Sequence, residues 1–211
     1  GLEPNFGCCT ANMHQGWPKL AAHLWMTTSD EGLAAVAWAP STAEFTSRGT
    51  KVTVSLETDY PFRETLRLTV TTARPARFPL LLRVPAWASG ATARVAGSPS
   101  EPMKPGTFHR LEREWTGSIV VDVRFPMAVK TSRRYNNAAA IERGPLVYAL
   151  NIGEEWTHVN ADKPHREWPH GDFEVRPTTS WNYGILLDEQ QPSASVRVDE
   201  KPVGAQPFSP V

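Results

Sequence analysis

Only two cysteines occur in this chain of 211 residues, and they are neighbours, Cys8 and Cys9. A disulfide between adjacent residues closes a strained ring, so the pair is not a structural staple. Two thiols held side by side suit a soft metal such as zinc, which binds thiolate sulfur well. A tetrahedral site needs four ligands. The nearest histidines in sequence are His14 and His23, with His109, His158, His165 and His170 more distant. No CxxC…CxxC or HExxH spacing is present. The residues alone leave two readings open: a metal-binding or reactive thiol pair, or two small side chains packed as hydrophobes. A zinc centre made from Cys8, Cys9, His14 and one further histidine is a form of the first. Glu142, Glu154 and Glu155 could serve acid–base chemistry, or could simply be solvated carboxylates.

The elements around these residues follow from hydrophobic periodicity. Met13, Trp17, Leu20 and Leu24 form one apolar stripe at the helix period. Gly16 and Pro18 fall inside it, and proline fits the first turn of a helix better than its interior. The regular helix is therefore expected at about Trp17 to Met26, and Asp30-Glu31-Gly32 then makes a turn. Beyond that the period changes to two. Leu33 to Ala39 reads as a buried strand, and Val52, Val54, Leu56 and Leu66, Leu68, Val70 read as half-buried ones. Further strands are expected at Leu80–Val84, Ala91–Val95, Thr107–Leu111 and Ile119–Phe125, with Pro79, Pro85 and Pro126 at strand flanks. After Lys130 come strand candidates at Ala138–Ile141, Pro145–Leu150, Trp181–Leu187 and Ser195–Val198, with residues 153–172 read as a long loop. Three pieces result: a helical stub at 1–27, a β-sandwich at 28–130, and a second β unit at 131–211.

Composition supports a folded β protein. Hydrophobic residues make up 40% of the chain, enough for a packed core, and 19 prolines with 14 glycines favour short strands over long helices. The 22 basic and 22 acidic residues cancel, which gives no electrostatic footprint for nucleic acid or an anionic membrane. No apolar run approaches the roughly 18 residues of a membrane span. The chain opens at Gly1 and closes on Pro207-Phe208-Ser209-Pro210-Val211, so further sequence is expected on both sides.

The segment Asn5-Phe6-Gly7-Cys8-Cys9-Thr10-Ala11-Asn12-Met13-His14 resembles the Cys-Cys-x-x-Asn segment of glycoside hydrolase family 127 and its relatives, which include β-L-arabinofuranosidases. The Arg83-Val84-Pro85-Ala86-Trp87 and Arg143-Gly144-Pro145-Leu146-Val147-Tyr148 words look like the same family, so the resemblance spans nearly the whole chain. Thr10-Ala11 stands where a Pro-Pro pair is common in characterised members. The resemblance implies a mainly β chain, with two β-sandwich units following a helical stub from the end of an (α/α) barrel. It implies that Cys8 is the catalytic nucleophile and a zinc ligand, and that Cys9 is a second zinc ligand. The remaining ligands, the glutamate acid/base and the barrel would lie upstream, leaving the isolated chain inactive. The substrate would be a β-L-arabinofuranoside or a related sugar, and His14 could touch it. Trp156, Trp168, Trp181 and Tyr183 could stack on sugar rings or fill a core. The competing reading is a non-catalytic carbohydrate-binding or structural β-sandwich.

Overall fold

The computed structural model describes residues 12, 14–166 and 171–205. The protein is mainly β, as its periodicity requires. The described residues group into two units: Ala21–Val147 together with the segment from Asp188, and the segment up to Leu20 together with Tyr148–Leu187.

The first unit is built on a sheet of 8 strands: β1 (Trp25–Thr27), β2 (Leu33–Ala35), β3 (Ser41–Ser47), β4 (Thr50–Thr58), β5 (Thr65–Arg83), β6 (Thr92–Val95), β7 (Glu101–Pro102) and β8 (Phe108–Arg124). The order is β1-β2-β5-β8-β6-β7, with the β3–β4 hairpin joined to β5 through β4. All pairings are antiparallel except β2 with β5, which runs parallel from Leu33 opposite Leu80. The expected alternation is present. Val52, Val54 and Leu56 of β4, Leu66, Leu68 and Val70 of β5, and Val121 and Val123 of β8 point inward and are buried.

Two pairs of expected short strands are each one long strand. β5 spans both the Leu66–Val70 and the Leu80–Leu82 runs, and β8 spans both the Leu111 and the Ile119–Val123 runs. They pair along their whole length except at a register shift between Thr72 and Ala76. Here Ala73, Arg74 and Pro75 lie opposite Thr116 alone, so Pro75 forfeits no ladder bond. The register shift also divides the neighbours. β4 pairs with β5 before the bulge, and β2 pairs with it after. Side chains from both halves join one core cluster, so the sheet closes on itself as two layers. Pro79 lies within β5 rather than at its flank, one residue before the parallel pairing with β2 begins.

Aromatic rings occupy the centre of this core. Trp115, fully buried, stacks on Phe78 at 5.6 Å, and Phe45 of β3 meets Phe78 edge-on at 5.3 Å. The buried indole N–H groups are satisfied: Trp115 Nε1 donates to the Phe78 carbonyl and Trp38 Nε1 to the Arg83 carbonyl, each at 3.0 Å. On the outer face, Arg67, Asp122 and Arg94 sit side by side across β5, β8 and β6. The Asp122 carboxylate accepts from Arg67 Nε at 2.9 Å and from Arg94 Nη2 at 2.8 Å. Hydrogen bonding from Arg94, then from Arg67, holds its carboxyl below the usual carboxylate range.

A second sheet, of three strands in the order β11-β10-β9, contains β9 (Val129–Arg133), β10 (Ala139–Arg143) and β11 (Leu146–Tyr148). The chain after Asp188 is tied to this unit by ion pairs of Arg133 with Glu189 and of Arg143 with Glu200. The second unit carries a hairpin of β12 (Glu154–Val159) and β13 (Asp172–Pro177). The stretch 153–172 is therefore not all loop: its polar and aromatic residues find partners 13 to 23 positions on, a pairing that local composition does not reveal. Conversely, Trp181–Leu187 and Ser195–Val198 form no ladder among the described residues, and a short helix α2 (Pro192–Ser195) takes up part of the second. The helix near the amino end, α1 (Gly16–Ala22), is shorter than expected because Trp25–Thr27 is drawn into β1 opposite Leu33–Ala35. No helix among the described residues is long and apolar enough to cross a membrane.

Replacing Trp115 with alanine is expected to cost about 3–5 kcal/mol, by cavity formation and an unpaired Phe78 carbonyl, read as a lower urea midpoint. The depressed Asp122 carboxyl stabilises the fold above the unfolded pKa of about 3.9 and loses that contribution as pH falls through its lower folded value. Asp122→Asn is therefore expected to lower the melting temperature near neutrality and to shrink its further drop on acidification to about pH 3.

Candidate functional site

Cys8 and Cys9 lie outside the described residues, as does Met13. Downstream of the pair, His14 sits exposed in the turn ahead of α1, open to solvent rather than packed. Gln15 beside it donates from Nε2 to Asn12 Oδ1 at 2.7 Å and accepts from Lys19 Nζ at 2.9 Å, which braces the start of the helix. Pro18 lies in the first turn, where no amide donor is required. Within the apolar stripe, Trp17 is 77% and Leu20 47% exposed, Leu24 is half-buried, and α1 contributes no buried side chain.

Two adjacent thiols are donors of the type zinc prefers. Among the described residues, no three His, Cys, Asp or Glu side chains converge to hold a metal ion. His23, His109, His158 and His165 thus form no preassembled ligand set with the described carboxylates.

The other candidate carboxylates are already engaged. Glu142 Oε1 accepts from Ser132 Oγ at 2.7 Å and from Arg134 Nη2. The Ser132 hydrogen bond, and then Arg134, keep its carboxyl below the ordinary range, the opposite of what a proton donor near neutral pH needs. Glu154 Oε2 accepts from Trp156 Nε1 at 2.8 Å. Of the aromatic candidates, Trp168 is outside the described residues, whereas Trp156, Trp181 and Tyr183 are all exposed.

The sequence did not disclose an open groove of about 760 Å³ on the outer face of the large sheet, lined by Glu57, Arg63, Arg67, Arg94, Asp122 and Arg124 among others. Its charges largely serve one another: Arg67 and Arg94 share Asp122, and Arg124 pairs with Glu64 at 2.9 Å. The strand register that lines these groups up is a tertiary property, and no spacing in the sequence signals it.

The two downstream words that carried the resemblance are neighbours in space. Trp87 packs edge-on against buried Phe125, with ring centroids 6.2 Å apart. Gly144 approaches the same place at φ 58°, so closely that a Cβ there would lie 2.8 Å from Met127 Cγ and 3.3 Å from Trp87 Cη2. Arg143, largely buried, pairs with Glu200 and faces Glu64, whose Oε1 accepts from the Met127 amide at 2.8 Å. These words form a packing seam.

Comparison with known proteins places this architecture. Residues 32–127, from Gly32 before β2 to Met127 beside the seam, match the family model described as the β-L-arabinofuranosidase GH127 middle domain. Over these residues the chain is similar to a GH127 middle domain. The similar solved structures agree. A GH127 β-L-arabinofuranosidase from Geobacillus stearothermophilus T6 is 23% identical, with a TM-score of 0.60 over 85% of this chain and 32% of that one. A structure described as a glycoside hydrolase is also 23% identical, with a TM-score of 0.60 over 75% of this chain and 27% of its own. A GH127 β-arabinofuranosidase is 20% identical, with a TM-score of 0.59 over 81% and 32%. At these identities the likeness establishes a shared fold, and the chain spans about a third of the length of the structures it matches. No curated protein matches the chain. The matched segment contains the Arg83–Trp87 word but begins downstream of Cys8 and Cys9.

Gly144→Ala is expected to destabilise the protein by about 2 kcal/mol or more, because positive φ and overlap with Met127 and Trp87 act together. Gly97→Ala, at φ 79° with nothing within 4 Å, should cost only about 1 kcal/mol. Urea midpoints of the two variants check the difference.

Proposed function

We propose that this chain is the sandwich-bearing part of a retaining glycoside hydrolase acting on β-L-arabinofuranosides or related sugars, with Cys8 as its nucleophile. The observation that carries the reading is the GH127 middle-domain match over residues 32–127, joined to a Cys8-Cys9 pair ahead of α1. The similar structures include two titled as arabinofuranosidases of that family. The uncovered Trp17 and Leu20 face of α1 supports the same reading, since an apolar helix stripe calls for partner helices such as those of an (α/α) barrel.

In this mechanism the Cys8 thiolate attacks the anomeric carbon, forming a carbon–sulfur bond as the glycosidic carbon–oxygen bond breaks. The departing oxygen takes a proton from a general acid. Water then attacks the same carbon and releases the sulfur, so two inversions give net retention. Cys8 and Cys9 would be the zinc ligands in this chain, and a bound zinc would favour the thiolate over the thiol near neutral pH. Glu142, held ionised by Ser132 and Arg134, is not assigned the acid's role. The acid, the barrel and the other ligands are assigned to the rest of the protein, and the 211-residue chain alone is proposed to be inactive. The second reading, a non-catalytic carbohydrate-binding sandwich, draws on the exposed Trp156, Trp181 and Tyr183.

Hydrolysis of an aryl β-L-arabinofuranoside separates the two. The complete protein should turn it over, and Cys8→Ala should reduce kcat at least about a thousandfold. The 211-residue chain should show no turnover above background. Full activity of Cys8→Ala would remove the nucleophile assignment, and Cys8-dependent turnover by the chain alone would remove the requirement for a barrel.

A further inference from the structure

The second unit contains a concavity that the catalytic reading does not use. It has a volume of about 400 Å³ and is lined by Ile152, Glu154, Val175, Arg176, Pro177 and Trp181. Its construction starts from the β12–β13 register. Glu154 lies opposite Pro177 and Trp156 opposite Val175, so these four side chains share one face of the hairpin. The chain leaving β13 is then pinned back. Thr178 N donates to the Gly153 carbonyl at 2.8 Å, and Gly153 N donates to Thr179 Oγ1 at 2.9 Å. Gly153 permits this approach because a Cβ there would collide with Thr178 Oγ1 and lie 3.1 Å from Thr179 Cγ2. The clasp delivers Trp181 to the concavity, where the residue is 63% exposed.

The polar part is equally ordered. Trp156 Nε1 donates to Glu154 Oε2 at 2.8 Å. Trp156 is itself held edge-on against Phe173 at 5.8 Å, and Phe173 stacks on His158 at 4.9 Å. One Glu154 oxygen is thereby fixed, and the carboxylate keeps acceptor capacity on the other.

We propose that Trp181 and Glu154 form a saccharide-contact site, with the indole stacking on the C–H face of one sugar ring and the carboxylate accepting from its hydroxyls. An exposed indole beside apolar Val175 and Pro177 suits the apolar face of a sugar. The Glu154 carboxylate at the edge argues against a purely apolar occupant, which would desolvate it without supplying donors. Sugar hydroxyls supply those donors at little cost. The choice of saccharide rests on the glycoside hydrolase reading above, whereas the geometry of the site does not.

The test is calorimetric titration of the complete protein with a soluble arabino-oligosaccharide, in a Cys8→Ala background so that binding is measured without turnover. Trp181→Ala should weaken binding about tenfold, Trp181→Phe should keep most of it, and Glu154→Gln should weaken it about threefold. Gly153→Ala, which disturbs only the clasp, should mimic Trp181→Ala in part. An affinity unmoved by Trp181→Ala, or preference for choline over the sugar, overturns the site. Circular dichroism and the retained binding of Trp181→Phe separate loss of stacking from loss of fold. Failure here is distinguishable from failure of the nucleophile assignment, which is read from hydrolysis by Cys8→Ala alone.

Discussion

The long pairing of β5 with β8 is the constraint on which the larger unit depends. Each strand carries inward residues on both sides of the bulge at Thr72–Ala76, so one ribbon supplies both layers of the sandwich. β4 needs the first half of β5, β2 needs the second half, and β6 needs the end of β8. The register shift lets Phe78 and Trp115 meet in the interior, with Phe45 arriving from the β3–β4 hairpin. Burying two indoles is tolerable because both N–H groups reach backbone carbonyls, at Phe78 and Arg83.

The residues that carry the family resemblance divide into two kinds. Arg83–Trp87 and Arg143–Tyr148 meet through Trp87, Met127 and Gly144, where volume and backbone conformation leave little choice of side chain. Arg143 and Glu64 add a partly buried ionic contact beside this seam, where an unpaired charge would be costly. Cys8 and Cys9, in contrast, precede the segment 32–127 that matches the middle-domain model.

The carboxylates illustrate how environment assigns roles that residue type cannot. Glu142, Glu154 and Glu155 are alike in sequence. In the structure Glu142 is clamped by Ser132 and Arg134 and kept ionised. Glu154 is oriented by the Trp156 indole at the edge of a concavity. Glu155 lies on the opposite face of the same hairpin, across from Arg176. Only the second has an arrangement suited to meeting a ligand.

The mainly β class, the inward faces of β4 and of the first half of β5, and the resemblance to GH127 were legible in the residues, because period-two alternation and short motifs are local properties. The ends of α1, the fusion of four expected strands into β5 and β8, and the β12–β13 hairpin were not. Each depends on which distant segment offers a ladder: Leu33–Ala35 draws Trp25–Thr27 out of the helix, and Asp172–Pro177 makes a strand of Glu154–Val159. The sequence by itself named the chemistry available, two adjacent thiols, a stripe of apolar helix and a set of tryptophans. Tertiary structure decided which side chains are buried, which carboxylate stays ionised and which indole faces a cavity, because burial and hydrogen bonding are set by partners far apart along the chain.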